Sequence, residues 1–280
     1  MNPSKKDSTY LTTSLEETVY VENNFSTISS QKSQIVAVHG IGTYSGWFDE
    51  LTDILADRQI ASTTFDLPGF GRSGERGCLS SYKSWTEALS RTWAQASEIS
   101  PKDTFLLGHS LGGVVSLASF ANLEPKPKGI ILVVPGLMAN PQSWHITNFV
   151  LPTIIKALQN TPEKTSFPFP SEVYESVKQG KHKIDMLTTE VKPKLLLEIL
   201  NMTNEAWFSI TKLKDVPILM ILSEEDPVCI SGASKLFFNF CNSRNKTLKV
   251  YPSKMHDLFI LPEANEINEL IANWITNHSI

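Results

Sequence analysis

An α/β fold is expected, a mostly parallel, doubly wound sheet with an inserted helical cap, on three observations. Apolar runs at 34–38 (QIVAV), 129–134 (GIILVV) and 217–222 (PILMIL) lack the alternation of a one-sided strand, which marks strands buried on both faces. Stretches with helical spacing separate the strand candidates, and such alternation builds parallel sheets. From 135 to 211 the alternation stops, and Pro152, Pro162, Pro168 and Pro170 punctuate helical segments instead. The expected layout is a core made of 1–134 and 212–280, with a cap of 135–211 inserted between its halves.

The elements follow in order. Residues 9–30 alternate loosely, with Tyr10, Leu15, Val19, Val21, Phe25 and Ile28 as inward positions of one or two edge strands. The run 34–38 is a buried strand that ends in His39, Gly40, Ile41 and Gly42. A helix over 47–58 carries Leu51, Ile54 and Leu55 on one face, and a strand over 61–67 follows. The loop after it, PGFGRSG, contains a G-x-G-x-x-G. A dinucleotide loop would open directly into a helix, whereas Glu75, Arg76, Gly77 and Cys78 prolong this one, so that reading is rejected. A helix over 85–99 leads to a strand at 104–107 and a helix rich in small residues. Helical segments at 149–158 and 194–207 fall in the cap. After it come the strand 217–222, a helix near 233–240, a strand at 247–251 and a last helix over 263–274.

Between the strand at 104–107 and its helix stand Gly108, His109, Ser110, Leu111 and Gly112, a G-x-S-x-G in strand-turn-helix context. Such a turn exposes the serine hydroxyl at a strained apex. Ligands of doubly wound sheets bind at the carboxyl ends of the strands, and two further strand ends carry suitable chemistry. PILMIL runs into Ser223, Glu224, Glu225 and Asp226, and the strand at 247–251 leads to His256 and Asp257. Serine, acid, histidine is the chain order expected of this architecture. Ser110 is the candidate nucleophile, His256 the base that takes its proton, and Asp226 the acid that orients the imidazole. Glu224, Glu225 and Asp257 are rival acids; His39, His109, His145, His182 and His278 are rival bases. Backbone N–H groups of Ile41, in the H-G-x-G turn, and of Leu111, after the serine, are the candidate oxyanion donors. In the cap, Phe149, Ile154 and Leu158 share an apolar helical stretch that either lines an acyl tunnel or forms the cap's own core.

Composition narrows the partners. The 280 residues include 25 basic and 29 acidic side chains, a formal charge of −4 without a basic stripe, which argues against nucleic acid. Three irregularly spaced cysteines fit neither a disulfide framework nor a zinc site, and they favour a reducing compartment. The N-terminus has no apolar signal region and no stretch is long enough to span a bilayer, so a cytoplasmic chain is expected, with transient membrane-surface contact at most. No cofactor and no metal are expected.

Several of these stretches together resemble the α/β-hydrolases of the monoacylglycerol lipase and lysophospholipase-like group. HGIGTYSGWF resembles that group's oxyanion loop, DLPGFGRSGERG its post-strand loop, GHSLGG its nucleophile elbow, EEDPV its acid loop and MHDLF its histidine loop. Asp185, Met186 and Leu187 resemble its D-P-L segment, with Met186 in place of proline, and KLLLEILNMTNEAW its returning cap helix. Thr43 and Tyr44 replace the residues that often follow H-G-x-G. The resemblance implies a serine hydrolase that cleaves monoacylglycerol- or lysophospholipid-like esters through an acyl-enzyme. The alternatives are the same triad acting on a thioester, peptide or carbon–carbon bond, or a ligand-binding protein without turnover. HGIG without a following Gly-Gly-Pro-Gly argues against the iminopeptidase branch.

Overall fold

The computed structural model describes residues 4–26, 31–99, 103–141, 151–158, 160–166, 169 and 171–279. Eight strands form one sheet in the order β1-β2-β4-β3-β5-β6-β9-β10. They are β1 (Ser4–Thr12), β2 (Thr18–Ser26), β3 (Ser33–Val38), β4 (Ile60–Phe65), β5 (Thr104–His109), β6 (Ile130–Val133), β9 (Ile218–Ser223) and β10 (Lys246–Tyr251). The six from β4 to β10 in that order pair in parallel, and the hairpin β1/β2 closes one edge by antiparallel pairing of β2 with β4. Helices α1 (Asp49–Asp57), α2 (Lys83–Ser97), α3 (Leu111–Ser119), α7 (Ser231–Phe240) and α8 (Ala264–His278) alternate with the strands.

Strands β3, β4, β5, β6 and β9 are buried along their whole length, because helices cover both faces. Alternate side chains feed two cores. Val36, Val38, Leu106, Leu132 and Met220 meet α2, α3 and α7 on one face. Ile35, Ala37, Phe105, Leu107, Ile131, Val133, Leu219 and Ile221 meet α1 and α8 on the other. From β3 the chain steps outward to β4 and later returns to β5 on the opposite side, so the strand order reverses between β3 and β5. A crevice opens at such a reversal, outside the carboxyl ends of the strands.

At the antiparallel edge the inward assignment is corrected. Val19 and Val21 are buried, but Tyr10 is 59% and Leu15 49% exposed. Leu15 lies in the hairpin turn, whose Glu16 takes a positive φ of 61°, and Tyr10 stands edge-on to its cross-strand partner Tyr20 with ring centroids 5.5 Å apart. Only one strand of the hairpin touches β4, so the outer strand has little core to face. Ile28 lies outside the described residues. The helix expected over 47–58 begins as a 3-10 turn at Ser45–Phe48 before α1.

Between β6 and β9 the chain forms α4 (Leu151–Leu158), α5 (Ser171–Lys178), α6 (Pro193–Phe208) and a two-stranded ribbon of β7 (Thr165–Ser166) with β8 (Glu190–Val191). Neither α5 nor the ribbon was anticipated from periodicity, both being short. Pro193 opens α6, where its missing N–H costs no hydrogen bond. This segment is tied to the rest of the chain by polar contacts: the Lys192 N–H donates to the Gly77 carbonyl and the Tyr82 N–H to Glu198 Oε2 at 2.8 Å, while Trp207 Nε1 donates to the Leu137 carbonyl within the segment at 3.1 Å. Among the described residues no helix is long and apolar enough to cross a membrane.

Candidate active site

Ser110 sits where β5 turns into α3, at φ 52° and ψ −115°. A non-glycine residue there is strained and persists only where its surroundings over-determine it. Here they do: the Ser110 N–H donates to the Val133 carbonyl at 3.0 Å, and the Ser110 carbonyl accepts from Gly136 and Gly113 at 2.9 and 3.0 Å. The turn is tight because its flanks lack side chains. A Cβ at Gly108 would lie 2.6 Å from the Gly113 Cα, and one at Gly112 would run into the Val38 carbonyl.

Two other strand ends converge on that hydroxyl. His256 Nε2 lies 2.8 Å from Ser110 Oγ, and His256 Nδ1 lies 2.7 Å from Asp226 Oδ2. A carboxylate only accepts, so Nδ1 carries the proton and Nε2 is left to accept from the serine. The other carboxylate oxygen, Asp226 Oδ1, accepts from the N–H groups of Val228 and Cys229 at 2.7 and 2.9 Å, which fixes the acid in turn. The rival acids are placed elsewhere. Glu224 and Glu225 are exposed, with Glu225 paired to Lys254 at 3.4 Å. Asp257 is buried, but its oxygens accept from Trp47 Nε1 at 2.6 Å and from the Phe259 N–H at 3.1 Å.

Among the described residues, Asp226, Cys229 and His256 are a group whose donor atoms lie within 4.8 Å of one another, as a metal site requires. The donor chemistry does not fit an ion. His256 and Asp226 are bonded to each other, and burial, reinforced by the Asp226 charge, pushes the Cys229 thiol well above its usual range, so it stays protonated.

The turn after β3 faces the serine. Among the described residues, neither the Ile41 N–H nor the Leu111 N–H donates to the protein, and both residues line the cavity that Ser110 enters. The Leu111 donor is one of those that every helix N-terminus leaves unsatisfied. His39 braces this turn: the Leu67 N–H donates to its Nε2 at 2.9 Å, so Nδ1 bears the proton and donates to the Gly40 carbonyl at 2.7 Å. Burial keeps that imidazole below the usual histidine range, hence neutral. The glycine-rich loop after β4 is a second brace. Asp66 accepts from the Ser45 N–H at 2.6 Å and from Arg72 N and Nε at 2.8 and 3.1 Å, while Arg72 stacks on Tyr20 with its guanidinium carbon 3.5 Å from the ring centroid.

The cavity is a narrow cleft of about 120 Å³. Among the described residues, every side chain that lines it is apolar save the Ser110 hydroxyl and the thiol of Cys229. Ile154 is on its wall, Phe149 lies outside the described residues, and Leu158 is described in its backbone only. Among the described residues a further stretch of the wall, not foreseen, is α6, through Pro193, Leu196, Leu197, Ile199 and Leu200. The available signal was width. Leu195, Leu196, Leu197, Ile199 and Leu200 cover more of the helix than one core-facing stripe needs. Leu195 is buried against the core, and Leu196, Leu197 and Leu200 are left for the cleft.

A family model described as serine aminopeptidase, S33 matches residues 29–263, most of the chain. The chain belongs to this family. The chain is 26% identical over 259 residues to the monoglyceride lipase of Homo sapiens, covering 89% of this chain and 84% of that one. It is 28% identical over 260 residues to the enzyme of the same name from Rattus norvegicus, covering 88% and 83%. The fold matches that of Paleococcus ferrophilus monoacylglycerol lipase with a TM-score of 0.79 at 22% identity, covering 93% of this chain and 99% of that one. It also matches a soluble variant of Saccharomyces cerevisiae monoglyceride lipase, solved in complex with a substrate analogue, with a TM-score of 0.82 at 17% identity, covering 99% and 96%. This S33 member therefore has the α/β-hydrolase fold.

Proposed function

We propose that the chain is a serine hydrolase that cleaves acyl esters of the monoacylglycerol type through an acyl-enzyme. One observation carries the proposal: the hydrogen-bonded chain Asp226–His256–Ser110 ends in a hydroxyl that opens on an apolar cleft. In the first half-reaction His256 Nε2 takes the Ser110 proton while Oγ attacks the ester carbonyl carbon. The oxyanion accepts from the N–H groups of Ile41 and Leu111, both on backbone held rigid before the reaction. The imidazolium, stabilised by Asp226, returns the proton to the departing alcohol and leaves Ser110 acylated. Water then repeats the attack, with His256 as base, and Ser110 leaves with its proton restored.

The substrate class rests on the lining and on the kinship. A cleft walled by leucine, isoleucine and valine gains up to about 0.8 kcal/mol per methylene buried. An aminopeptidase, the activity in the family's description, would need an anionic group for the substrate's ammonium, and among the described residues none stands on this wall. The relatives named monoglyceride lipases extend over most of the chain and agree with an acylglycerol. In this reading 135–211 is a cap, seated on the core of 1–134 and 212–280, whose helices α4 and α6 select the acyl group. Three free thiols suit a reducing compartment such as the cytoplasm.

The test is covalent labelling. A fluorophosphonate probe should modify the wild-type chain at Ser110, and Ser110→Ala should remove the label and lower ester turnover by roughly 10⁴- to 10⁶-fold with the fold intact. Retention of more than about a tenth of the activity in the purified variant would refute Ser110 as nucleophile.

A further inference from the structure

The proposed mechanism does not use Asp257, a carboxylate buried beside the site. Burying such a group is costly unless its oxygens are matched by donors. Both are matched, and one donor is far away in sequence: Trp47 Nε1 reaches Oδ2 at 2.6 Å, while the Phe259 N–H reaches Oδ1 at 3.1 Å. Asp257 follows His256 directly in the chain, within a stretch between β10 and α8 that has no regular structure. Side-chain contacts therefore set where the imidazole stands. On one side His256 is held by Asp226, and on the other its neighbour is held by Trp47.

Trp47 is in turn in contact with the insertion. His182, between α5 and β8, stacks on the indole with centroids 3.7 Å apart and planes 24° apart. The next residue, Lys183, donates its N–H to Tyr44 Oη at 2.9 Å, and the Thr188 N–H donates to the Gly42 carbonyl at 2.8 Å. A continuous path runs from the insertion through Trp47 and Asp257 to the backbone of His256. Besides Trp47 the carboxylate faces the buried His109, whose Nε2 lies 3.7 Å from Oδ1, beyond hydrogen-bond distance, and Leu258, Phe259 and Ile260 pack into the same core beside it. An apolar side chain at 257 would fill the space without engaging Trp47.

We infer that Asp257 is a positioning residue for His256, acting through its hydrogen bond to Trp47, and that His182 couples the seating of the insertion to that bond. The inference rests on the serine-hydrolase reading above. A base that must serve first the serine and then the attacking water tolerates little displacement, and a misplacement of about 1 Å costs on the order of 100-fold.

The test measures kcat per competent site, with sites counted by fluorophosphonate titration at a temperature where each variant is folded. Asp257→Ala and Trp47→Phe should each lower kcat per titrated site by about 10- to 100-fold, with KM for a monoacylglycerol held within about twofold. The double variant should be no worse than Asp257→Ala alone, because both remove one bond. His182→Ala should lower kcat per site by a smaller factor, of about threefold or more, and should add nothing on top of Trp47→Phe. A merely structural role predicts something else, fewer titratable sites at unchanged kcat per site, and that result overturns the inference. Should Asp257→Ala not fold, Trp47→Phe and His182→Ala decide by the same criterion. A wild-type chain that takes no label refutes the hydrolase reading itself. Labelling with kcat per site unchanged in the variants refutes only the role of Asp257.

Discussion

At Ser110 the backbone conformation, φ 52° and ψ −115°, is held by three main-chain hydrogen bonds, and the chemistry proposed for it depends on a tautomer. His256 can accept the serine proton only while Nδ1 keeps its own, and Asp226 Oδ2, 2.7 Å away, enforces this. Asp226→Asn offers an amide in the same space that can donate to Nδ1 and stabilise the wrong tautomer. Turnover of a monoacylglycerol should then fall by about 10³- to 10⁴-fold, and the rate of fluorophosphonate labelling should fall with it, while the melting temperature survives. A loss below about tenfold would mean that another acid orients the imidazole. Serine, acid and base could be read from sequence because each is a local event at a strand end. The bond from Trp47 to Asp257 spans 210 positions and has no local signature.

Among the elements, α6 is the one whose role changed on folding. Its sequence resembles a returning helix, yet among the described residues it supplies five of the cleft's lining positions, Pro193, Leu196, Leu197, Ile199 and Leu200, beside the Ile154 of α4. A helix's apolar residues show that it has partners without saying whether the partner is protein or substrate. Leu200 lines the cleft and remains 44% exposed, which places it toward the mouth. Specificity should climb with acyl length and break at a limit. Replacing Leu200 or Ile154 by tryptophan should shorten that limit, each methylene displaced costing up to about 0.8 kcal/mol. A kcat/KM series of p-nitrophenyl esters from acetate to palmitate reads this directly. A wild-type preference for acetate, unchanged in both variants, would leave the cleft without a role in acyl selection.

For the whole molecule, the buried histidines set the pH dependence of stability. Burial pushes His109 well below the usual histidine range, with the nearby His256 and His39 adding to the effect, and burial also lowers His39 and His182. In the unfolded chain each would take up a proton below about pH 6.5, whereas the folded forms resist it. The unfolded state therefore binds more protons on acidification, and the stability that these groups hold in full about a unit above pH 6.5 is lost as the pH falls through that value. Asp257 has the opposite sign. Burial raises its carboxyl, so the folded state binds a proton more readily between about pH 3.9 and the raised value, a window on the acid side. Urea melts should lose stability between about pH 7.5 and 5.5, by at most about 1.4 kcal/mol per unit for each such histidine. His109→Gln should flatten that slope, and an unchanged slope would mean that His109 does not remain neutral.

The amino-acid sequence alone determined the alternation of buried strands and helices, the glycine-flanked serine, and the order in which serine, acid and histidine leave the strand ends. These are encoded in runs of a few residues, where composition and spacing carry the physical signal. What the tertiary structure decided are relations between distant stretches: the bond from Trp47 to Asp257, the neutral His39 that ties the β3 turn to Leu67, the face of α6 that becomes cleft wall, and the outward turn of Tyr10 and Leu15. Each depends on which apolar surface finds a partner once the sheet has closed. Burial is a property of neighbours in space, and the chain order does not name them.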